Sequence, residues 1–285
     1  MKYLYILLLI CVTLSGFATY YLKTTNTATI STHNFLLDET VKKTIQFLTN
    51  HTKKKKLRAK PAKYHAQHGQ DYYVDKLFLD KKLKKGTFVE VGALRGKEYS
   101  NTWYFEKAYD WTGILIEAEE KYYNELKKNR PLSKVYKKAA CGTGVERVKF
   151  ASSTVFGWGG IFKYYDDSIW KKKVRNIQEV ECVQLNDILE ENNMKHIDYM
   201  TIDVEGAELE IIKSIDFDRF NITYLQVERV VHNEEQIISK YLLQEHMKEQ
   251  NYEKIKLFKL GHHTQDILFK KIASRSTTEA PAEVI

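Results

Sequence analysis

Proline and cysteine are scarce in this sequence, and no internal repeat is visible. Three prolines among 285 residues leave little room for a long disordered tract, and an apolar content of 43% suits a folded globular body. Of the three cysteines, Cys11 lies inside an apolar run, so only Cys141 and Cys182 remain to pair. The sequence leaves open whether these two form a disulfide in an oxidising compartment or stay as buried thiols.

Acidic residues are scarce in the N-terminal third of the chain. Residues 1–85 contain sixteen Lys and Arg against five Asp and Glu, whereas the remainder contains 29 against 32. An enzyme that acts on nucleic acid is expected to carry positive charge on the domain that does the chemistry. The distribution therefore predicts no nucleic-acid partner.

The longest apolar run opens the chain. About twenty residues between Lys2 and Lys23 carry no charge, and as a helix they would span about 30 Å, the thickness of a bilayer core. We therefore expect a signal anchor, a transmembrane helix, over residues 1–23. A cleaved signal peptide and a secreted protein are the alternative, because Gly16 and Ala18 lie where cleavage would occur.

A basic stem is predicted to follow over residues 24–66. Its run from Lys53 to Lys63 is typical of a solvated linker, and an anionic partner such as a proteoglycan or an acidic lipid is the other interpretation. Two glycosylation sequons, at Asn50 and Asn221, favour a luminal body in the endoplasmic reticulum or Golgi. Residues 274–285 are predicted to be a disordered tail.

Residues 67–273 alternate between short apolar strands and helical segments. Strands are predicted over GTFVEVG, TGILIEA and HIDYMTID, and the last two, YEKIKLFKL and TQDILFK, form a hairpin. This pattern predicts an α/β fold: a doubly wound, mostly parallel sheet with helices on both faces and a C-terminal antiparallel hairpin at one edge. It is the outline of a class I methyltransferase, or Rossmann-like, domain.

A turn containing two glycines follows the first predicted strand. A dinucleotide fingerprint reads G-x-G-x-x-G, but here Gly92 and Gly96 are spaced by four. The turn suits close approach of backbone to the methionine part of S-adenosylmethionine, and helix amides around Asn101 would face its carboxylate. Glu117, at the end of the second strand, can accept hydrogen bonds from both ribose hydroxyls. A packing glycine and a solvated carboxylate are the structural alternative.

Carboxylates also cluster in DVEGAE, at the end of a later strand. Asp203 is the first choice for a general base and Glu205 the second, while Glu208 is interpreted as a first-turn residue that complements a helix dipole. His232 is a further candidate base. No spacing demands a metal site built from Asp203, Glu205 and Glu228, so no metal is predicted.

Trp158 lies between glycines in VFGWGGI. It is either a platform on which a sugar ring stacks or an exposed aromatic in an ordinary hairpin turn.

These segments resemble the FkbM family of methyltransferases. The resemblance covers roughly residues 67–271 and is carried most specifically by the SNT-plus-FEK segment and by DVEGAE. It implies S-adenosylmethionine as cofactor and O-methylation of hydroxyl groups on sugars or secondary metabolites. The cofactor contacts that it implies are Glu90, Gly92, Ala93, Gly96, Ser100, Asn101, Glu117 and, near the adenine, Ala140.

The chain is accordingly predicted to be an S-adenosylmethionine-dependent O-methyltransferase. Its acceptor would be a hydroxyl of a glycan or small metabolite in the secretory pathway, and its domain would be luminal behind a single membrane span. The anchor and basic stem also resemble Star-like, membrane-anchored animal members of the family, for which a trafficking role has been proposed. A non-catalytic trafficking or binding protein with the same fold is therefore the alternative.

Overall fold

A seven-stranded sheet forms the centre of the computed structural model, which describes residues 63–79, 85–165, 169–230, 234–259 and 264–272. The described strands are β1 (Thr87–Val91), β2 (Thr112–Ile116), β3 (Lys134–Tyr136), β4 (Ala139–Ala140), β5 (Arg147–Ser153), β6 (Gly160–Ile161), β7 (Val174–Val183), β8 (His196–Ile202), β9 (Asn221–Val230), β10 (Tyr252–Lys259) and β11 (Thr264–Lys271). The described helices are α1 (Gln70–Leu79), α2 (Trp103–Tyr109), α3 (Glu120–Asn129), α4 (Ile169–Lys172), α5 (Leu185–Glu191), α6 (Glu208–Lys213) and α7 (Glu234–Glu249).

Several predictions concern residues outside these ranges. They are the anchor at 1–23, the stem up to residue 62 with its sequon at Asn50, His232, and the tail at 274–285. Within the part of the chain that the structure describes, no helix is both long enough and apolar enough to cross a membrane.

The strand order of the main sheet is β10-β11-β9-β8-β1-β2-β3. Neighbours from β9 to β3 are parallel, and β11 is antiparallel to both β9 and β10. The doubly wound, mostly parallel sheet and the C-terminal antiparallel hairpin at one edge are thus confirmed. Strand β11 lies inside the sheet because Ile267, Leu268 and Phe269 are buried, whereas the lysine-rich β10 forms the edge.

The central strands are buried on both faces, as parallel strands between two helical layers must be. Phe88 on β1 packs with Phe78 of α1 and Phe105 of α2 on one face. Val89, the next residue, belongs to the core on the opposite face, where Ile211 of α6 also packs. Side chains that alternate along each strand therefore form the apolar cores on both faces of the sheet. The strand ends remain as the place where a ligand can bind.

The structure also contains a smaller, four-stranded sheet of order β4-β7-β5-β6. Strand β7 begins at Val174 and pairs in parallel with β4. A disulfide joins Cys141 to Cys182 next to this pairing, with 5.6 Å between the two Cα atoms. The structure thus has the two cysteines bonded, which the sequence had left open.

This disulfide should stabilise the fold. It closes a loop with a sequence separation of 41, for which the chain-entropy description gives about 4 kcal/mol. The double variant Cys141→Ala, Cys182→Ala should therefore lose about 2–4 kcal/mol in free energy of unfolding, measured by urea denaturation. Reductant should lower the midpoint of the wild type and leave that of the variant unchanged. An equal midpoint for the wild type in oxidising and reducing buffer would contradict the bond.

Candidate cofactor and acceptor site

A cavity of about 380 Å³ lies at the carboxyl ends of β1, β2, β8 and β9. Open α/β sheets bind their ligands at this edge. The predicted site residues that line the cavity are Glu90, Gly92, Ala93, Ser100, Asn101, Glu117, Ala140, Asp203 and Glu205. The topology thus brings residues from distant parts of the chain to one place.

Gly92 holds the ends of β1 and β8 together. Its φ is +83°, and a Cβ atom there would lie 1.8 Å from the backbone oxygen of Asp203. Its amide donates to the carbonyl of Ile116 at 3.0 Å. The close approach that the structure shows is to the protein's own chain, and the predicted approach to S-adenosylmethionine stays a prediction. Gly92 therefore has the packing role, and it lines the cavity as well.

Gly96 is the one predicted cofactor residue that the described cavity does not include. A Cβ atom there would lie 2.3 Å from Leu126 Cδ1 and 2.8 Å from Arg130 Cγ. Its carbonyl accepts a hydrogen bond from Arg130 at 3.1 Å. The second glycine of the turn therefore gives α3 room to pack, and its assignment as a cofactor contact stays a prediction.

Glu90 holds in place the segment from Ser100 to Thr102, which follows the glycine turn. It accepts hydrogen bonds from Ser100 Oγ at 2.8 Å, from the Asn101 amide at 2.8 Å and from Thr102 Oγ1 at 2.5 Å. Burial raises the pKa of Glu90, against the opposing charge of Arg130. Glu90 thus fixes the position of Ser100 and Asn101 at the cavity wall.

Arg130 is a site residue that sequence reasoning missed. Its guanidinium is fully buried and donates from Nε to Glu106 at 2.6 Å and from Nη2 to Thr102 Oγ1 at 3.1 Å. It lies 3.8 Å from Glu90. Arg130 follows two lysines at the end of α3, where a basic run is typical of solvated surface. No local signal distinguishes it from those lysines.

Glu117 directly follows β2 and lines the cavity. Its Oε2 accepts from the Leu94 amide at 2.8 Å and its Oε1 from the Glu119 amide at 2.7 Å. Burial raises its pKa to about 8. Each carboxylate oxygen has a second acceptor position, so a diol at this place can donate to both oxygens. The residue set fits the ribose of S-adenosylmethionine.

Asp203, Glu205 and Glu228 form an acidic end of the same cavity. One carboxylate oxygen from each lies within 4.8 Å of the others. Loss of water raises the pKa of Asp203 to about 6, and the same cause, with the charge of Asp203, raises the pKa values of Glu205 and Glu228 well above the ordinary range. Asp203 and Glu205 are half-buried and open to the cavity, whereas Glu228 is buried beside them.

Glu208 has the structural role that its position predicted. It is the first residue of α6, and its Oε1 accepts from the amides of Gly206 at 2.9 Å and Val204 at 3.3 Å. Its Oε2 pairs with buried Arg229 at 3.3 Å. Glu208 therefore supports the loop that carries Glu205.

Trp158 lines the cavity, in a glycine-rich loop that leads into β6. A Cβ atom on Gly160 would lie 3.1 Å from Glu205 Cβ, so this loop packs directly against the acidic end. The Tyr165 hydroxyl donates to the Trp158 carbonyl. Of the two interpretations of Trp158, its place at the cavity favours the platform.

The strand order and the ligand edge define the class I methyltransferase fold. Residues 90–258 match the family described as the Methyltransferase FkbM domain. The match covers more than half of the 285 residues, so the chain belongs to this family, and its cofactor is S-adenosylmethionine.

Several solved structures share a distant likeness. One is a METTL16 MTase domain, at 15% identity over 70% of this chain and 65% of that chain, with a TM-score of 0.43. Another is the N-terminal domain of human METTL16 in complex with SAH, at 16% identity over 70% and 67%, with a TM-score of 0.39. A third is the O-methyltransferase from Bacillus cereus in complex with SAH, at 11% identity over 74% and 84%, with a TM-score of 0.41.

This chain thus spans about 65% of the first of those structures. No curated protein matches the sequence. Substrates do not carry over from likenesses this distant.

Cofactor affinity should depend on Glu117. Glu117→Ala removes both acceptors that fit the ribose hydroxyls, and hydrogen bonds to a charged group contribute about 1.5–3 kcal/mol. Calorimetry should therefore show S-adenosylmethionine binding about 10- to 150-fold more weakly. Glu253→Ala, an exposed change on β10, is the matched control and should bind as the wild type does. Wild-type affinity in Glu117→Ala would exclude the ribose assignment.

The stability of the ligand-free protein should fall as pH rises toward 8, in part because of Glu117. Folding raises the pKa of Glu117 from 4.5 to about 8, so the folded state holds this proton more tightly than the unfolded state does. The resulting stabilisation is complete below about pH 4.5 and is lost as pH rises through about 8. Glu117→Gln is neutral throughout and should show a smaller fall in Tm between pH 5 and pH 8.5. Equal slopes for the two proteins would contradict the raised pKa.

Proposed function

We propose that this protein is an S-adenosylmethionine-dependent O-methyltransferase whose acceptor is a hydroxyl of a glycan or a small metabolite. One observation carries the proposal: the acidic end of the cavity and the carboxylate that fits the ribose, Glu117, line the same cavity. A hydroxyl beside the cofactor would therefore meet carboxylate oxygens that can take its proton. Membership of the FkbM methyltransferase family supports the transfer itself.

The cofactor half of the site is built from the ends of the first strands. Glu117 would hold the ribose, the segment from Ser100 to Asn101 the methionine carboxylate, and Ala140 the edge of the adenine. When bound, S-adenosylmethionine supplies a sulfonium methyl group that the acceptor oxygen displaces. The leaving thioether needs no proton, so positioning by the chain supplies most of the acceleration.

The acceptor half of the site has to remove a proton from a hydroxyl. Asp203 is the proposed base, because it directly follows β8 and is open to the cavity, with its carboxylate beside those of Glu205 and Glu228. Glu205 is the second carboxylate in reach of the same space. Trp158 would stack on the face of a sugar ring, with its loop held against Glu205 by the close approach of Gly160.

Features of the sequence and the disulfide support a proposal for the location of the protein. We propose a single-pass membrane protein of the secretory pathway with its domain in the lumen. The apolar run at residues 1–23 and the Asn50 and Asn221 sequons support this proposal, and so does the disulfide, since such bonds persist in oxidising compartments. The basic stem from Lys53 to Lys63 would then meet an anionic partner near the membrane.

Asp203→Asn in the full-length protein should separate binding from chemistry. The change keeps the size of the side chain and removes its ability to take a proton. Transfer of labelled methyl from S-adenosylmethionine to a panel of glycans and small hydroxyl compounds should fall by about 10²- to 10⁴-fold. The Tm and the cofactor affinity should stay close to those of the wild type.

Glu208→Gln is the matched control, because it changes a structural carboxylate of the same loop. It breaks a buried ion pair with Arg229 and should lower stability by about 3–5 kcal/mol. If Asp203→Asn behaves like this control, the aspartate is structural. Undiminished transfer by Asp203→Asn would move the base to Glu205. A wild type that binds cofactor and methylates nothing in the panel would favour the non-catalytic trafficking protein.

A further inference from the structure

Three carboxylates meet where β8 and β9 end side by side. Ile202 pairs with Val227 in the parallel register, so the next positions place Asp203 beside Glu228. Glu205 reaches the same point because its backbone adopts a left-handed φ of +60°. The three ligand oxygens lie within 4.8 Å of one another. The register of the sheet and the loop geometry therefore both converge on this point.

A fourth carboxylate, Asp266, comes from the antiparallel strand β11. It is the direct register partner of Glu228, and like charges directly opposite destabilise a sheet. Glu228 is 8% exposed and Asp266 is 2% exposed. Glu228 Oε2 and Asp266 Oδ1 have no hydrogen-bond partner among the described residues. Both side chains line the cavity, so two buried acceptor oxygens are available to a cation there.

Other buried carboxylates near the cavity are compensated by ion pairs or hydrogen bonds. Glu208 is paired with Arg229, and Glu90 has three hydrogen-bond donors and lies near Arg130. Within the described ranges, no lysine or arginine forms an ion pair with the acidic end of the cavity. Its charge is therefore left to be balanced by protons or by a cation that binds.

We propose that Asp203, Glu205 and Glu228 bind a hard divalent cation of the Mg²⁺, Mn²⁺ or Ca²⁺ type. The donor set is carboxylate oxygen alone, which is the preference of these ions. Two oxygens on opposite sides of a cation at about 2.4 Å are about 4.8 Å apart, so the observed spacing accommodates one ion. Asp266 lies behind Glu228 and would accept hydrogen bonds from cation-bound water.

The role of the ion rests on the proposed function, although its binding does not. An acceptor hydroxyl that coordinates the cation through its oxygen loses its proton more readily. The proton would pass to the oxygen of Asp203 that does not bind the ion. The acceptor oxygen then forms its bond to the methyl carbon as the bond from that carbon to sulfur breaks, and the thioether leaves neutral.

Direct titration of the full-length protein with Mn²⁺ tests the site without any assay of activity. The chain is freed of metal with EDTA and dialysed, and free Mn²⁺ is followed by electron paramagnetic resonance. We expect saturable binding of one Mn²⁺ per chain, displaced by Mg²⁺ or Ca²⁺ and accompanied by a rise in Tm. Glu228→Gln should weaken Mn²⁺ binding by about tenfold or more. Glu253→Gln, exposed on β10, should leave it unchanged.

Each outcome bears on the proposal. Absence of saturable Mn²⁺ binding by the wild type, or unchanged affinity in Glu228→Gln, overturns the site. If Glu228→Gln fails to fold, as judged by its melting curve, Asp203→Asn takes its place with the same expectation. Mn²⁺ binding without methyl transfer to any hydroxyl keeps the site and removes the proposed function. Transfer that EDTA does not affect, by a chain that binds no Mn²⁺, keeps the function and removes the site.

Discussion

Buried carboxylates at the carboxyl edge of the sheet are the constraint on which this site depends. Removing a carboxylate from water is costly unless donors or cations compensate it. Glu90 is compensated by the segment that follows the glycine turn, Glu117 by two backbone amides and Glu208 by Arg229. Each compensated group fixes a piece of backbone around the cavity. The hydrogen bonds and ion pairs of these carboxylates therefore hold the wall of the site in place.

The acidic end of the cavity differs because its carboxylates lie against one another and form no ion pair with a lysine or arginine of the described ranges. Glu228 lies beside Asp203, and Glu205 adds a third carboxylate at the same point. The pKa values of all three are raised, chiefly because water is excluded from them. Carboxylates with raised pKa values bind protons and cations readily. A hydroxyl acceptor beside a sulfonium methyl group needs such a group to take its proton. The arrangement links the fold to the proposed reaction.

Much of the fold and part of the site could be predicted from local patterns. The alternation of apolar strands with helices predicts the parallel sheet. Because parallel strands end at one edge of the sheet, carboxylates at strand ends, such as Glu117 and Asp203, are brought to that edge. Long-range packing could not be predicted. Nothing near Gly96 shows that α3 lies against it, and nothing near Arg130 shows that its guanidinium is buried. The place of β11 inside the sheet also depends on a pairing between segments distant in sequence.

A crystal structure of the protein with S-adenosylhomocysteine tests the central claim most directly. The account predicts the ribose hydroxyls within hydrogen-bond distance of Glu117, the adenine beside Ala140 and the sulfur directed toward the space between Asp203 and Trp158. Such a pose would leave an acceptor hydroxyl in contact with the acidic end. A ribose bound away from Glu117, or a sulfur directed away from Asp203, would contradict the account.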